Sequence, residues 1–374
     1  KDRPVLLNNW EATHCDFDEE RLKELFNGAR QVGAELFLLD DGWFGNGLYS
    51  RDDDKHGLGD WEPSTKKLPR GLSYIAKEAL KRKVDFGIWL EPEMVNPQSE
   101  LYQKHPDWII TQPKRTPILG RHQEILDLTR PEVQAFEWQV IDKTLRPNPD
   151  ISYVKWDCNR YITQPGSGYL QPAEQSHLWI DYNWALYRLM ERFSKEFPNV
   201  MAMLCAGGSG RVDYGALPYF HSFWPSDNTD PLGRIKIQWG FSHFFPASTI
   251  SAHVTRMGKR HLKLAIDVAL SGAFGIDLAL DKATAEERVQ IADAVKLYKA
   301  SIRPLVMQGE LYRLVSPYEH PMASLSYVST DKNDAVVYLY QIQDGSVPQV
   351  ILGGLDARKN YRVEEVGLPK GSTS

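Results

Sequence analysis

The chain has 374 residues, with Lys+Arg 44 against Asp+Glu 49 and a formal net charge of −5. Hydrophobic residues make up 42% and charged residues 25%, ordinary proportions for a soluble globular protein that can bury a large core. No Lys/Arg block stands out to track phosphates and no run of about 18 apolar residues could span a bilayer, so neither nucleic acid nor a membrane is the expected partner. In chain order, residues 5–10 read as a first strand, followed by a periodic helix over 17–32 with an acidic first turn. A strand over 36–41, a long polar loop, a helix over 72–83 and a strand over 85–90 come next. Residues 124–127 read as a fourth strand, and the helix over 131–144 has Pro131 where an N1 residue belongs. A fifth strand over 151–157 leads to a helix over 177–197. Residues 200–205, 222–224 and 250–254 supply the sixth, seventh and eighth strands.

Eight strands separated mostly by helices predict a (β/α)8 TIM barrel over residues 1–305. A doubly wound sheet is the rival, but no Gly-rich dinucleotide fingerprint follows the first strand. Past residue 305 the rhythm breaks. Residues 322–328 and 335–340 flank a turn at 331–334, and 349–352 and 361–363 extend a hairpin-rich tail. That predicts a C-terminal antiparallel all-β domain over 306–374, still reading as sheet where the sequence stops. Residue 1 is Lys rather than Met, which reads as a processed or cut terminus.

Barrel enzymes carry their chemistry on the carboxyl ends of strands, so those ends are the places to look. Here they hold Asp40-Asp41-Gly42-Trp43, Trp89-Leu90-Glu91-Pro92-Glu93, Asp127, Lys155-Trp156-Asp157-Cys158-Asn159 and Ser226-Asp227-Asn228-Thr229-Asp230. Turn chemistry accounts for one or two such endings more easily than for five. Alternation along a strand places Lys155, Asp157 and Asn159 on one face, with the ammonium about 7 Å along the backbone from the Asp157 carboxylate. A cation there keeps an acid ionised, which suits a nucleophile or an electrostatic stabiliser, with a structural Lys–Asp pair as the plainer reading. Asp230 directly precedes Pro231 and fits a helix cap, which leaves Asp227 for chemistry.

Two such carboxylates near Trp43, Trp61, Trp89, Trp156 and Trp224 suggest a sugar site, since sugars offer hydroxyls to acids and apolar faces to rings. Metal and cofactor signals are weak. The histidines lack ligand spacing, and Asp52-Asp53-Asp54 is only a fragment of a calcium loop and reads as a solvated run. Cys15, Cys158 and Cys205 are too scattered for a zinc ribbon or a disulfide framework, and they leave the compartment open between cytoplasm and periplasm or exterior. The Gly-rich run from Cys205 to Arg211 lacks the Lys-Ser/Thr end of a P-loop, but its glycines let the backbone approach a ligand closely.

The blocks Leu39-Asp40-Asp41-Gly42-Trp43-Phe44-Gly45, Gly87-Ile88-Trp89-Leu90-Glu91-Pro92-Glu93-Met94 and Lys155-Trp156-Asp157-Cys158-Asn159-Arg160 together resemble glycoside hydrolase family 36. So do Cys205-x-x-Gly208-x-Gly210-Arg211 and Trp224-Pro-Ser-Asp227-Asn-Thr-Asp230. The family consists chiefly of retaining α-galactosidases. The resemblance implies Asp157 as nucleophile and Asp227 as acid/base, with their carboxyls about 5–5.5 Å apart. It implies Asp40 and Asp41 as acceptors for galactose hydroxyls, Trp89 as the sugar-facing ring, and Arg121, Lys155 and Asn159 as further hydroxyl contacts. Cys205 and the Gly208 turn fall on the 2-hydroxyl side. The expected partner is an α-galactoside oligosaccharide, with a homo-oligomer left open and no cofactor or metal required.

Family members usually carry a large N-terminal β-sandwich before the barrel, and this sequence starts at the barrel's first strand. A galactosyl transferase or an α-N-acetylgalactosaminidase would use the same residues. A metal-dependent sugar isomerase and a non-catalytic carbohydrate-binding barrel are the readings outside this chemistry, and the presence of both acids argues against the binder.

Overall fold

The apolar runs near residues 36, 85, 151, 201 and 222 form five adjacent parallel strands. In sheet order these are Ser222–Phe223, Met201–Leu204, Ile151–Trp156, Asp85–Leu90 and Leu36–Leu39. Their near-continuous burial explains why most of their residues are apolar, with Asp85, Ser152, Lys155 and Ser222 the exceptions, because parallel strands are covered on both faces and need no polar alternation. The helices Gly71–Lys81, Pro131–Leu145 and Leu178–Glu196 are interleaved with them along the chain. The computed structural model describes residues 3–112 and 114–366. These strands belong to one of two compact units, made of Asn8–Asn27 and Leu36–Trp224.

One expected strand of that unit is corrected. Residues 124–127 do not join the parallel sheet. Glu124–Ile125 instead pairs antiparallel with Met94–Val95 as a separate two-stranded ribbon. A short buried apolar run looks the same in either setting, and only the pairing partner tells them apart.

The second unit comprises Lys1–Leu7, Gly28–Glu35 and Pro225–Ser374. Here Leu6 and Leu7 pair in parallel with Ala273–Ile276, which in turn pairs in parallel with Ser251–Val254. The strand Ala273–Ile276 was not among those expected. Its Ala-Phe-Gly-Ile sequence carries little β-branching, and it follows a helix with hardly a break. Gly275 is there for space: a Cβ would fall 2.3 Å from Cδ2 of His253 on the neighbouring strand. In chain order, Asp157 therefore follows the fourth parallel strand and Asp227 the sixth.

The tail of this unit is a three-stranded antiparallel sheet, Glu310–Val315, Met322–Val328 and Ala335–Gln341. The first of these strands was not expected. Residues 349–352 and 361–363, expected as strands, form none. Ile351 and Val363 are exposed, and β propensity without a partner edge makes no ladder. Residues 367–374 of the expected tail domain lie outside the described residues.

Three tyrosines join this sheet to the end of the helix Leu262–Ala269. Tyr340 donates to the Asp267 carbonyl at 3.0 Å, Tyr338 to Leu270 at 2.9 Å and Tyr327 to Ser271 at 2.7 Å. The last carbonyls of a helix have no partner within it, so the sheet supplies them.

Candidate active site

Asp157 continues the strand Ile151–Trp156 by one residue, its N–H donating to the Leu90 carbonyl at 2.7 Å. Both of its carboxylate oxygens are held by the protein, with acceptor positions left over. Trp89 Nε1 donates to Oδ2 at 3.0 Å and the Cys158 N–H to Oδ1 at 2.8 Å. Burial favours the neutral acid, but Lys155, followed by the bonds from Trp89, Asn159 and Cys158, outweighs it. The carboxyl stays below its ordinary range and is ionised at neutral pH.

Lys155 makes its direct ion pair with Asp40, Nζ to Oδ2 at 2.8 Å, and acts on Asp157 through space. Burial alone would lower the ammonium's pKa. Asp40, then Cys205 and Asp157, raise it well above the usual lysine value. Asp40 also accepts from Asn8 Nδ2 at 2.8 Å and from the Asp41 N–H at 2.9 Å. Asp41 is held by the guanidinium fork of Arg51, Nε to Oδ1 at 2.9 Å and an Nη to Oδ2 at 2.6 Å. A carboxylate has about four acceptor positions. Asp41 thus keeps two free and Asp40 one, so the pair can still receive hydroxyls.

Glu91 is completely buried, accepting from the Asn159 N–H and from Gln123 Nε2. Desolvation, then the charge of Asp157, pushes its carboxyl up to about 8. It is therefore neutral at pH 7, and with the amide turned over its O–H donates to Gln123 Oε1, which otherwise has no partner. Arg121 is part of the same field. Burial would lower its pKa, but Glu91, Asp54, Asp157 and Asp41 raise it. Its Nε lies 3.7 Å from Asp54 Oδ2.

The turn after Cys205 comes next to this cluster. The Cys205 N–H donates to the Trp156 carbonyl at 2.8 Å, and the Gly207 N–H donates to Asn159 Oδ1 at 3.1 Å. Ala206 closes the turn onto the Gly208 carbonyl at 2.8 Å, with Gly208 at positive φ. Asp157, Asp40, Asp41, Trp89, Arg121, Lys155, Asn159, Cys205 and Gly208 thus belong to one unit and most are joined by hydrogen bonds or fields. Asp227 belongs to the other unit, exposed in the loop before the helix Pro231–Phe241. Asp230 caps that helix, accepting from the Leu232 N–H at 3.3 Å and pairing with Arg260 at 3.1 Å.

Two of the strand-end acids hold structure instead. Asp127 accepts from Thr129 and Ser167 hydroxyls ahead of the helix Pro131–Leu145. Glu93 is tied to Trp156, Tyr182 and Arg211. Among the tryptophans, Trp43 and Trp156 are fully buried, and Trp61 alone of the five is partly exposed. The sequence reading missed Asn8 and Arg51 as partners of the acid pair and did not single out Glu91. Arg51 sits at the head of the acidic run 52–54, where only the fold reveals that it points at Asp41. Among the described residues no group of three or more His, Cys, Asp or Glu could hold a metal ion, and no helix is long and apolar enough to cross a membrane.

Residues 1–309 match the family model described as Melibiase. The chain is 41% identical over 380 residues to Alpha-galactosidase AgaA of Geobacillus stearothermophilus, covering 99% of this chain and 51% of that one. It is 38% identical over 371 residues to Alpha-galactosidase 1 of Pediococcus pentosaceus, covering 97% and 50%. A crystal structure of the GH36 alpha-galactosidase AgaA with two substitutions, in complex with raffinose, superposes with a TM-score of 0.91 at 40% identity. That match covers 96% of this chain and 50% of the other. The chain spans about half the length of the curated relatives it matches. At this similarity the fold class is theirs, a (β/α)8 barrel with a C-terminal antiparallel β region.

Proposed function

The chain belongs to the Melibiase family, glycoside hydrolase family 36, and on that footing we propose that it removes terminal α-linked galactose from raffinose- or melibiose-type oligosaccharides with retention of configuration. The observation that carries this reading is Asp157, buried yet held ionised, and coupled through Lys155 to an acid pair with open acceptor positions. The relative bound to raffinose supports the same substrate class. The same reading gives residues 1–305 to the catalytic barrel and 306–374 to an accessory β domain.

In this mechanism Asp157 attacks the anomeric carbon while Asp227 gives its proton to the leaving oxygen, forming a β-galactosyl ester. Asp227 then takes a proton from water, whose oxygen displaces the carboxylate and releases α-galactose. Lys155, Trp89 and the Cys158 N–H keep the nucleophile charged and aimed. Asp40 and Asp41 accept the axial 4-hydroxyl and the 6-hydroxyl. An equatorial 4-hydroxyl leaves a buried acceptor unmet at a cost of about 1–3 kcal/mol, which disfavours glucose by roughly tens-fold. Arg121, Asn159 and the Cys205–Gly208 turn serve the remaining hydroxyls.

The test is cleavage of nitrophenyl α-galactoside beside its α-glucoside and α-N-acetylgalactosaminide counterparts, with the product anomer followed by NMR. The expected first product is α-galactose, with the glucoside hydrolysed far more slowly. Asp157→Ala should lower turnover by about 10⁴ or more, and azide should restore it as β-galactosyl azide. A β-galactose first product from water, or equal cleavage of the glucoside, would overturn the reading.

A further inference from the structure

Lys67 joins the two ends of the loop that runs from the acid pair to Arg51. Its side chain is only 6% exposed. Nζ donates to three backbone carbonyls, Cys15 at 2.8 Å, Gly42 at 2.9 Å and Arg51 at 2.7 Å. An ammonium has three donors, so all of them are used. Asp52 Oδ1 at 3.0 Å supplies the counter-charge, and the Phe17 ring lies 5.4 Å from the nitrogen. Three carbonyl oxygens and one carboxylate converging on a point is the donor set that a hard cation takes in other proteins. Here the cation is covalently part of the chain.

Each carbonyl it grips borders the acid pair. Gly42 follows Asp41. Arg51 is the residue whose guanidinium forks onto Asp41. Cys15 packs so closely on Gly42 that a Cβ there would lie 2.8 Å from the Cys15 Cα. The backbones on both sides of the Asp41–Arg51 pair are therefore tied to one nitrogen. Asp40 follows, because its Oδ1 accepts the Asp41 N–H. Trp89 and the Cys158 N–H, which aim Asp157, take no part in these bonds, and Lys155 meets the clamped pair only at Asp40.

We propose that Lys67 is a positioning residue for sugar binding, a tethered cation that fixes the Asp40–Asp41 acceptors without touching the sugar. The proposal deepens the galactosidase reading and rests on it. Losing the clamp should blur the acceptors while leaving the nucleophile aligned, so affinity should suffer more than the chemical step. A general staple of the fold would instead lower stability and leave the affinity of the folded fraction alone.

The experiment compares Lys67→Ala and Lys67→Arg with the unsubstituted chain. It measures galactose affinity by calorimetry, KM and kcat on nitrophenyl α-galactoside, and thermal stability. Each is measured in sodium chloride and in ammonium chloride at equal ionic strength. Lys67→Ala should weaken galactose binding by about tenfold or more with a much smaller change in kcat. Ammonium should recover more of the loss than sodium, because the carbonyls stand 2.7–2.9 Å from the nitrogen, too far for a small hard cation. Lys67→Arg should weaken binding without ammonium rescue, because a planar guanidinium cannot aim three donors at one convergent trio and still fills the space.

Galactose affinity within about twofold of the parent in either folded variant overturns the proposal. So does a loss shared equally by kcat and untouched by ammonium. If Lys67→Ala does not fold, Lys67→Arg alone decides by the same criterion. If the unsubstituted chain neither binds nor cleaves galactosides, the galactosidase reading has failed. The clamp is then judged by amide hydrogen exchange over residues 42–52, which should speed up in Lys67→Ala and slow again with ammonium. Unchanged exchange there overturns the clamp itself.

Discussion

Around Asp157 the chain buries charge, whereas along the seam between the tail sheet and the helix Leu262–Ala269 it buries neutral phenols. The first region is a mesh of Asp40, Asp41, Arg51, Lys155 and Asp157, each depending on a partner of opposite sign or on a strong donor. The second is three tyrosine hydroxyls, each meeting one backbone carbonyl. Charged meshes fail abruptly when one member is lost, because the survivor is left buried and unpaired. Neutral bonds fail singly and cheaply. The difference separates a region shaped for recognition from one shaped only for cohesion, and it is open to measurement.

Lys155→Met tests it most severely. Asp40 would lose its cation, costing about 3–5 kcal/mol, which a thermal melt will show. Asp157 would also lose the largest influence that lowers its pKa. The stability and activity that depend on its charge are present above the ordinary carboxyl range and lost as pH falls through the depressed value. In the variant that loss should start at higher pH, seen as an acid limb of kcat/KM moved upward. An unmoved limb would show that Lys155 serves Asp40 alone.

Gly42→Ala should cost about 1–3 kcal/mol, since φ is +108° and the new Cβ meets the Cys15 backbone. KM should rise with it, because the displaced peptide carries Asp41. Glu91→Gln tests the neutral member of the charged region. A carboxyl at about 8 in the fold stays protonated while the unfolded chain ionises, so its contribution is full below the ordinary glutamate pKa and is lost as pH rises to about 8. The glutamine variant should therefore gain stability relative to the parent between pH 5 and pH 8, read from melts at both ends. Tyr338→Phe should have the smallest effect, about 1 kcal/mol, with the same loss at pH 5 and pH 8 and kcat/KM unchanged.

What could be read from the residues followed the range of the interaction. Runs such as 85–90 and 151–156 announce strands because β-branched and aromatic residues dominate them. Ala273–Ile276 does not, since a glycine chosen to clear His253 leaves no pattern in its own neighbourhood. Residues 124–127 have the composition of a barrel strand and a different partner. In the site, alternation put Lys155 and Asp157 on one face, but nothing local says that the ammonium reaches Asp40, 115 residues earlier. Arg51 and Lys67 were illegible for the same reason. Arg51 adjoins the acidic run 52–54 and Lys67 follows Lys66 in a polar loop, so both look solvated, while their actual partners come from loops closed by the fold. Glu91 was visible as an acid at a strand end, but only complete burial beside Asp157 makes it neutral.

The tail seam also gives the chain an optical clock. Desolvation holds Tyr327, Tyr338 and Tyr340 well above the ordinary phenol pKa, while Tyr161, Tyr169, Tyr214 and Tyr318 are open to solvent. In an alkaline titration the seam trio should colour only after a delay, as the sheet lifts from the helix end. Tyr182 and Tyr298 are buried as well, so the part of a late ultraviolet rise that disappears when Tyr327, Tyr338 and Tyr340 are changed to Phe would time that separation without any added label.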